Sequence, residues 1–191
     1  MAGEVRKRMV DGAMALLARR GLQSTSFSEV LAATGAPRGS LYHHFPGGKD
    51  QLIGAAVDQA GAVLTDALET VAGGTAEAVV ERFLAIWRIV LTRSQCEAGC
   101  AVLAVTVASG SAELLSHATV VFRAWRSRLA DLLEQGGLSP AQALRLATVL
   151  IASAEGAVVL SRADKSLEPF EVVAQQLLEQ VRAIDMRATA G

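Results

Sequence analysis

The 191-residue chain is predicted to be all-α, and composition and periodicity support this. Hydrophobic residues make up 51% of the chain and aromatic residues only 4%, with alanine, leucine and valine the most frequent. Alanine and unbranched side chains lose little entropy in a helix, so this mixture favours helix over sheet. Apolar residues also recur at spacings of three and four, and short breaks that contain glycine or proline separate these segments.

Three helices are predicted at the N-terminal end, and the second and third are short. The first runs from about residue 4 to residue 20, where Gly21 ends the apolar pattern. The second begins after Ser26, because Ser26 and Glu29 fit a capping box, and it ends before Gly35. The third covers about residues 38–44 and ends before a Pro-Gly-Gly sequence. Two short helices joined by a glycine-containing turn are typical of a helix-turn-helix.

Six further helices are predicted in the remainder, which gives about nine in all and indicates a C-terminal helical bundle. The proline at position 140 follows a serine cap, which is a typical helix start. The predicted helices cover about residues 49–71, 75–93, 97–109, 111–135, 140–163 and 168–184.

Charge is distributed unevenly along the chain. Residues 1–50 contain seven lysines and arginines against four acids, a net charge of +3, whereas residues 51–191 carry a net charge of −4. This asymmetry indicates that the N-terminal segment faces a polyanion, with a chance fluctuation as the alternative.

No targeting or membrane segment is predicted. The longest uncharged apolar stretch, between Glu97 and Glu113, has 15 residues, whereas a membrane span needs about 20. The N-terminus carries charges in place of a continuous apolar run, so a signal peptide is not expected. The two cysteines agree with a reducing compartment. We therefore expect a cytoplasmic protein.

The stretch RGSLYHHFPGGKD, residues 38–50, concentrates hydrogen-bonding side chains and raises three interpretations. A metal site is disfavoured because His43 and His44 are adjacent and point about 100° apart on a helix. A catalytic site is disfavoured because Ser40 and His44 lie one turn apart without an acid in the helix to orient the imidazole. We therefore expect no metal, no cofactor and no enzymatic activity.

DNA binding explains this stretch best. Leu41 and Phe45 give the short helix an apolar face, while its other positions carry small residues and polar donors. Gly39 and Ser40 allow close approach to base edges, and Arg38 can reach guanine or phosphate. Side chains such as Tyr42 suit phosphate oxygens, which set register without reading sequence. The predicted DNA-binding residues are Thr25, Ser26, Arg38, Gly39, Ser40, Tyr42, His43 and Lys49.

The segment STSFSEVLAATGAPRGSLYHHFPGGKDQLI resembles the DNA-binding domain of the tetracycline-repressor (TetR) family. Two departures, Pro37 in place of a serine cap and the longer Pro-Gly-Gly-Lys sequence, resemble the LmrA/YxaF-like branch, as does the Gly99-Cys100 pair. The resemblance implies a homodimer in which residues 1–48 bind a palindromic operator and residues 49–191 bind a small-molecule effector and dimerise.

The dimer is expected to form through the helices at about 140–163 and 168–184. The first of these interleaves small residues with larger apolar ones, which allows close helix approach, although an internal core helix has the same pattern. The small residues are Ala147, Ala152, Ala154, Gly156 and Ala157, and the larger ones are Leu146, Val149, Leu150, Val158 and Leu160.

An effector site is predicted in the bundle, for a small and mostly apolar ligand. Tryptophans can offer an N–H to a ligand, although they also serve as ordinary core residues. The segment AGCAVLAVTVASG has small side chains that would leave room for a ligand. The candidate ligand-binding residues are Phe83, Trp87, Cys100, Leu103, Phe122 and Trp125.

Two alternative functions follow from the sequence. One is a ligand-binding helical dimer whose helix-turn-helix has lost DNA binding. The other is a redox-responsive regulator that uses Cys96 and Cys100. We expect these cysteines one turn apart in a helix, where their Cβ atoms would be about 5–6 Å apart, too far for a disulfide without unwinding.

Overall fold

A computed structural model describes residues 2–189 of the chain, and these form nine α-helices, one short 3₁₀ turn and no strand. The all-α prediction is therefore confirmed for the described residues. The helices are α1 (Ala2–Arg20), α2 (Phe27–Thr34), α3 (Arg38–His44), α4 (Lys49–Leu68), α5 (Ala76–Ser94), α6 (Ala101–Ala108), α7 (Ala112–Gln135), α8 (Pro140–Asp164) and α9 (Glu168–Thr189). The 3₁₀ turn, Glu69–Val71, follows α4 directly.

The helices form two compact units. The first unit comprises the described residues up to Val63 together with Cys100–Phe122, and the second comprises Leu64–Gly99 together with the described residues from Arg123 onward. Helices α1, α2, α3 and α6 belong to the first unit and α5, α8 and α9 to the second, whereas α4 and α7 begin in the first and end in the second. The predicted division between residues 48 and 49 concerns function and stays a prediction.

The first unit is held together by the apolar face of α1. This face is buried, and α1 packs against α2. The two helices pack so closely that position 12 has no room for a side chain: a Cβ atom on Gly12 would overlap Thr34 Cγ2. The buried residues of α1 are Met9, Val10, Ala13, Leu16 and Leu17.

The second unit is built on α5, α8 and α9, which pack against one another. Arg88 on α5 donates two hydrogen bonds to the Glu171 carboxylate on α9, at 2.6 Å and 2.8 Å. These bonds hold the pKa of Glu171 below its ordinary value and raise the pKa of Arg88. The predicted start of α8 is confirmed: Pro140 is its first residue, and the Ser139 N–H donates to Gln142 Oε1 at 3.1 Å.

The segment between α5 and α6 departs from the prediction. A helix was expected from residue 97, but α6 begins at Ala101. Helix α5 ends at Ser94, and both Gln95 and Cys96 have positive φ angles, of 53° and 59°. Cys100 is the N-cap of α6, and its Sγ accepts a hydrogen bond from the Leu103 N–H at 3.3 Å. The expectation that Cys96 and Cys100 lie one turn apart in a helix is therefore wrong.

Helix α8 has the length and apolar composition of a membrane-crossing segment, the one such helix among residues 2–189. Core helices of soluble proteins share these properties, and 44% of its most apolar window is buried within the structure. Arg145 and Glu155 interrupt the apolar sequence of α8, so the helix contains no long uncharged stretch.

Candidate nucleic-acid interface

The turn between α2 and α3 is set by a glycine and a proline. Gly35 ends α2 in the left-handed conformation, with φ of 64°, and its N–H donates to the Leu31 carbonyl at 2.9 Å. Glycine adopts this conformation without steric cost. Pro37 is the N-cap of α3 in extended conformation, and its carbonyl accepts from the Ser40 N–H at 3.0 Å. A proline at this position is therefore compatible with a helix start.

Helix α3 separates apolar and polar faces as its periodicity predicts. Leu41 and Phe45 are buried, with exposed fractions of 1% and 0%. The opposite positions are solvent-exposed, and Tyr42 has 72% of its surface accessible. The exposed set comprises Arg38, Gly39, Tyr42 and His43, with Ser40 half-buried beside them. The structure therefore brings five of the predicted DNA-binding residues onto one short helix.

The start of α2 carries part of the predicted capping box. Ser26 Oγ accepts a hydrogen bond from the Glu29 N–H at 3.2 Å and makes a second hydrogen bond with Ser28 Oγ at 2.9 Å. The Glu29 carboxylate does not complete the box, because it accepts from Arg20 Nη1 at 2.8 Å. This ion pair joins the end of α1 to the start of α2.

Two of the residues predicted to contact phosphate make hydrogen bonds to backbone carbonyls in the turn between α1 and α2. Lys49 is half-buried, and its Nζ donates to the Leu22 carbonyl at 3.3 Å. Thr25 is buried, with 1% of its surface exposed, and its hydroxyl donates to the Gly21 carbonyl at 2.8 Å. We therefore correct the role predicted for the Thr25 side chain: it stabilises the turn and is not part of the exposed surface.

Three residues of α2 that were not predicted, Phe27, Ser28 and Leu31, also lie at this surface. They border a surface notch between α2 and α3, where the Phe27 and Tyr42 rings meet edge to face with centroids 6.2 Å apart. The sequence contained one signal for this placement: the Ser26 cap makes Phe27 the first residue of α2.

The six candidate ligand-binding residues are divided between the two compact units. Phe83, Trp87 and Trp125 belong to the second unit and are buried there. Cys100, Leu103 and Phe122 belong to the first, where Cys100 is buried and the other two are half-buried. Trp87 has a distinctive feature. Its indole N–H is buried and has no hydrogen-bond acceptor among the described side chains and backbone.

Helices α2 and α3, the turn at Gly35 and the exposed donors on α3 define a helix-turn-helix DNA-binding protein. Two family models match the chain: one described as bacterial regulatory proteins of the tetR family, at residues 9–56, and one described as the C-terminal domain of LmrA/YxaF-like transcriptional regulators, at residues 76–176. The chain therefore belongs to the TetR family of transcriptional regulators, and its C-terminal half is of the LmrA/YxaF-like type.

Known relatives agree with this assignment along almost the whole chain. An uncharacterized HTH-type transcriptional regulator from Mycobacterium tuberculosis is 35% identical, over 90% of this chain and 91% of its own. The regulator LmrA from Bacillus subtilis is 28% identical, over 87% of this chain and 91% of its own. These relatives are named as regulators and not as enzymes. The crystal structure of a TetR regulatory protein from Rhodobacter sphaeroides has the same fold, with a TM-score of 0.81 at 21% identity over 91% of this chain and 96% of its own.

Proposed function

We propose that this regulator is a cytoplasmic, ligand-responsive repressor that binds a palindromic operator as a homodimer, without a cofactor and without enzymatic activity. The observation that carries the proposal is the exposed face of α3. Small residues, Gly39 and Ser40, lie beside Arg38 and Tyr42 on a helix whose opposite face is buried. Such a helix can enter the major groove, where arginine binds guanine in a bidentate manner.

The proposed dimer contact is the outer face of α8. Several positions predicted for it, among them Leu146, Leu150 and Val158, are instead buried in the core of the second unit. The exposed face is nevertheless apolar for most of its length, and Gly156 on it has open space where a side chain would lie. A glycine within an exposed helix face costs about 0.5–1 kcal/mol relative to alanine, which favours a role in close helix approach. The exposed apolar or small residues are Ala141, Leu144, Val149, Ala152, Gly156, Val159, Leu160 and Ala163.

Covering this face with a second copy also explains the apolar character of α8 without a membrane. We propose that α9 contributes as well, because Val172 on it is 63% exposed. A two-fold dimer would place its two recognition helices about 34–36 Å apart, or a multiple of that distance, on DNA.

The proposed effector site includes Trp87. A buried tryptophan usually has an acceptor for its N–H, and Trp87 has none in the described part of the chain. An effector with an acceptor oxygen would satisfy this group. We propose that binding favours a state in which α4 moves the recognition helices out of register, and a coupling of about 1–3 kcal/mol would weaken DNA binding roughly 5- to 150-fold.

Selection of genomic fragments with the purified protein, at two salt concentrations, tests the DNA-binding proposal. Enrichment of one palindrome with half-sites one or two turns apart would support it. Weak, salt-screened binding without enrichment would favour the alternative in which the helix-turn-helix has lost its function. The selected palindrome then serves as the operator in the other binding experiments.

Sedimentation of a Gly156→Arg variant tests the dimer contact. We expect the long charged side chain to convert the dimer to monomer and to abolish tight operator binding. Gly110→Arg is the matched control, because Gly110 is exposed outside the helices and also has open space around it. A Gly156→Arg protein that stays dimeric would contradict the proposed contact.

The ligand site is tested by screening compounds for their ability to release the protein from its operator. Trp87→Phe removes the indole N–H and keeps a large aromatic ring, so we expect a weaker response to any compound that releases the wild-type protein. Phe170→Leu, at a buried aromatic residue outside the candidate ligand-binding set, is the control. An equal loss in both variants would argue against a specific role for the Trp87 N–H.

A further inference from the structure

The notch between α2 and α3 is an exposed apolar surface on the helix-turn-helix. It is open to solvent and has a volume of about 310 Å³. Leu41 is buried and forms part of its lining, and the half-buried Phe27 and Leu31 and the exposed Tyr42 complete the apolar part. Two polar residues, Ser28 and Arg38, also line it. The apolar side chains around this open concavity offer van der Waals contact to a small apolar group.

The notch shares its residues with the proposed DNA interface. Arg38 and Tyr42 line the notch and also belong to the exposed face of α3, which is the face that enters the major groove in a helix-turn-helix. The guanidinium at Arg38 is attracted to the DNA phosphates and to guanine. When this face binds DNA, the group that contacts the notch must be one that DNA presents in its major groove.

The 5-methyl group of thymine is the one apolar group that unmodified DNA presents there. We propose that the notch formed by Phe27, Leu31, Leu41 and Tyr42 binds the methyl group of one thymine in each operator half-site. This inference rests on the proposed operator binding. It adds a sequence-reading contact on α2 and α3 that uses apolar contact and no hydrogen bond.

The position of this thymine relative to guanine follows from helix geometry. Arg38 and Tyr42 are four residues apart on α3, so their Cα atoms are separated by about one helical turn, or roughly 6 Å along the axis. Successive bases along one DNA strand are about 3.4 Å apart. A guanine bound by Arg38 and a thymine in the notch therefore lie within about two base pairs of each other.

Replacement of each operator thymine by uracil, one position at a time, tests the inference with the wild-type protein. This change removes the methyl group and keeps every hydrogen-bonding group of the base. We expect about a fourfold loss of affinity at one thymine per half-site, the effect of burying one methyl group, and roughly a 15-fold loss when both half-sites are changed. That thymine should lie within two base pairs of the guanine at which Arg38→Ala loses discrimination.

Variants at Tyr42 identify the protein side of the contact. Tyr42→Ala removes one wall of the notch, so we expect this protein to bind thymine and uracil operators equally. Tyr42→Phe keeps the ring and should keep the preference for thymine. His43→Ala is the matched control: it changes an exposed neighbour that does not line the notch, so it should weaken both duplexes and preserve their ratio. Thermal melting of each variant checks that it is folded.

The outcomes distinguish this inference from the proposed function. Specific operator binding that is indifferent to uracil at every position would overturn the notch assignment and leave the regulator proposal intact. A thymine preference that survives Tyr42→Ala would overturn it as well. Absence of any specific operator binding would overturn the proposed function, and the notch assignment with it.

Discussion

Lys49 Nζ donates a hydrogen bond to the Leu22 carbonyl oxygen, 3.3 Å away, and so ties the first residue of α4 to the turn that follows α1. The same carbonyl accepts a hydrogen bond from the Thr25 N–H at 3.2 Å. An ammonium group has three N–H donors, so Lys49 can hold this turn and still bind a phosphate oxygen. We predict that Lys49 uses both capacities, and that it thereby links the geometry of the helix-turn-helix to its affinity for DNA.

Lys49→Ala should weaken binding to operator and unrelated DNA by a similar factor, because phosphate contacts carry no sequence information. The slope of log affinity against log salt should also fall by about 0.9 for each phosphate that the variant no longer neutralises. Titrations at several salt concentrations measure both quantities. Lys165→Asn, which removes a lysine from the second unit, should leave the slope unchanged. A weakening confined to the operator would contradict this role for Lys49.

Arg38→Ala should change sequence preference. A bidentate contact between arginine and guanine discriminates by about 1–3 kcal/mol, so the variant should lose that much on the operator and much less on unrelated DNA. Binding to a panel of operators with single base-pair changes locates the guanine, because the variant should no longer distinguish bases at that position. Equal losses on all sequences would instead indicate that Arg38 contacts only phosphate.

Gly12→Ala should destabilise the packing of α1 on α2, because a methyl group at this position would overlap Thr34 Cγ2. Overpacking of this kind costs about 1–3 kcal/mol. Thr34→Ser removes Cγ2 and keeps the hydroxyl that donates to the Val30 carbonyl at 2.7 Å, so the double variant should recover much of the stability. Denaturant unfolding measures these changes. Gly3→Ala, with open space around it, is the control, and an equal effect in both single variants would exclude the overlap as the cause.

The pair formed by Arg88 and Glu171 predicts a modest dependence of stability on pH. The pKa of Glu171 is lowered by its hydrogen bonds from Arg88, so its contribution is present above the unfolded value of about 4.5 and is lost as pH falls through the folded value. Glu171→Gln should therefore be destabilising at pH 7 and progressively less so below pH 4.5. Both side chains are more than one-third exposed, so the effect should stay below about 1 kcal/mol. In an Arg88→Leu protein, where the hydrogen bonds that lower the pKa of Glu171 are absent, the Glu171→Gln substitution should show no such trend.

The redox hypothesis predicts that oxidant lowers the operator affinity of the wild-type protein but not of a Cys96→Ser/Cys100→Ser protein. Serine is a good N-cap, so the substitution at Cys100 should preserve the start of α6, where Cys100 Sγ accepts from Leu103 N–H. Mobility-shift titrations with and without oxidant measure the affinities. Equal affinities of both proteins under oxidant would remove the hypothesis.

Local sequence signals predicted the backbone of the helix-turn-helix well where periodicity and special residues determine it. Gly35 and the alternation of buried Leu41 with exposed Tyr42 were sufficient to place the turn and orient α3. They failed where a side chain has two possible hydrogen-bond partners and tertiary contacts determine which one it binds. A threonine hydroxyl suits both phosphate and a backbone carbonyl, and only the packed turn shows that Thr25 bonds to Gly21.

The break after α5 and the notch beside α3 were also beyond local signals. Positive φ angles at non-glycine residues such as Cys96 are rare, so no propensity predicts them. The notch depends on Phe27 meeting a residue of another helix, and spacing within one helix does not reveal such a contact. The sequence predicted the apolar outer face of α8 only in part, because small residues are common both in a helical core and at a contact between subunits.

A chemical protection footprint on the selected operator tests the central claim most directly, because it reports both the recognition helix and the two-fold arrangement. We predict two protected major-groove segments, centred about 34–36 Å apart or a multiple of that distance, for the wild-type protein. Their guanine protection should be lost in Arg38→Ala. A single protected segment, or protection confined to the minor groove, would contradict the proposal that α3 of each subunit in a dimer reads one half-site.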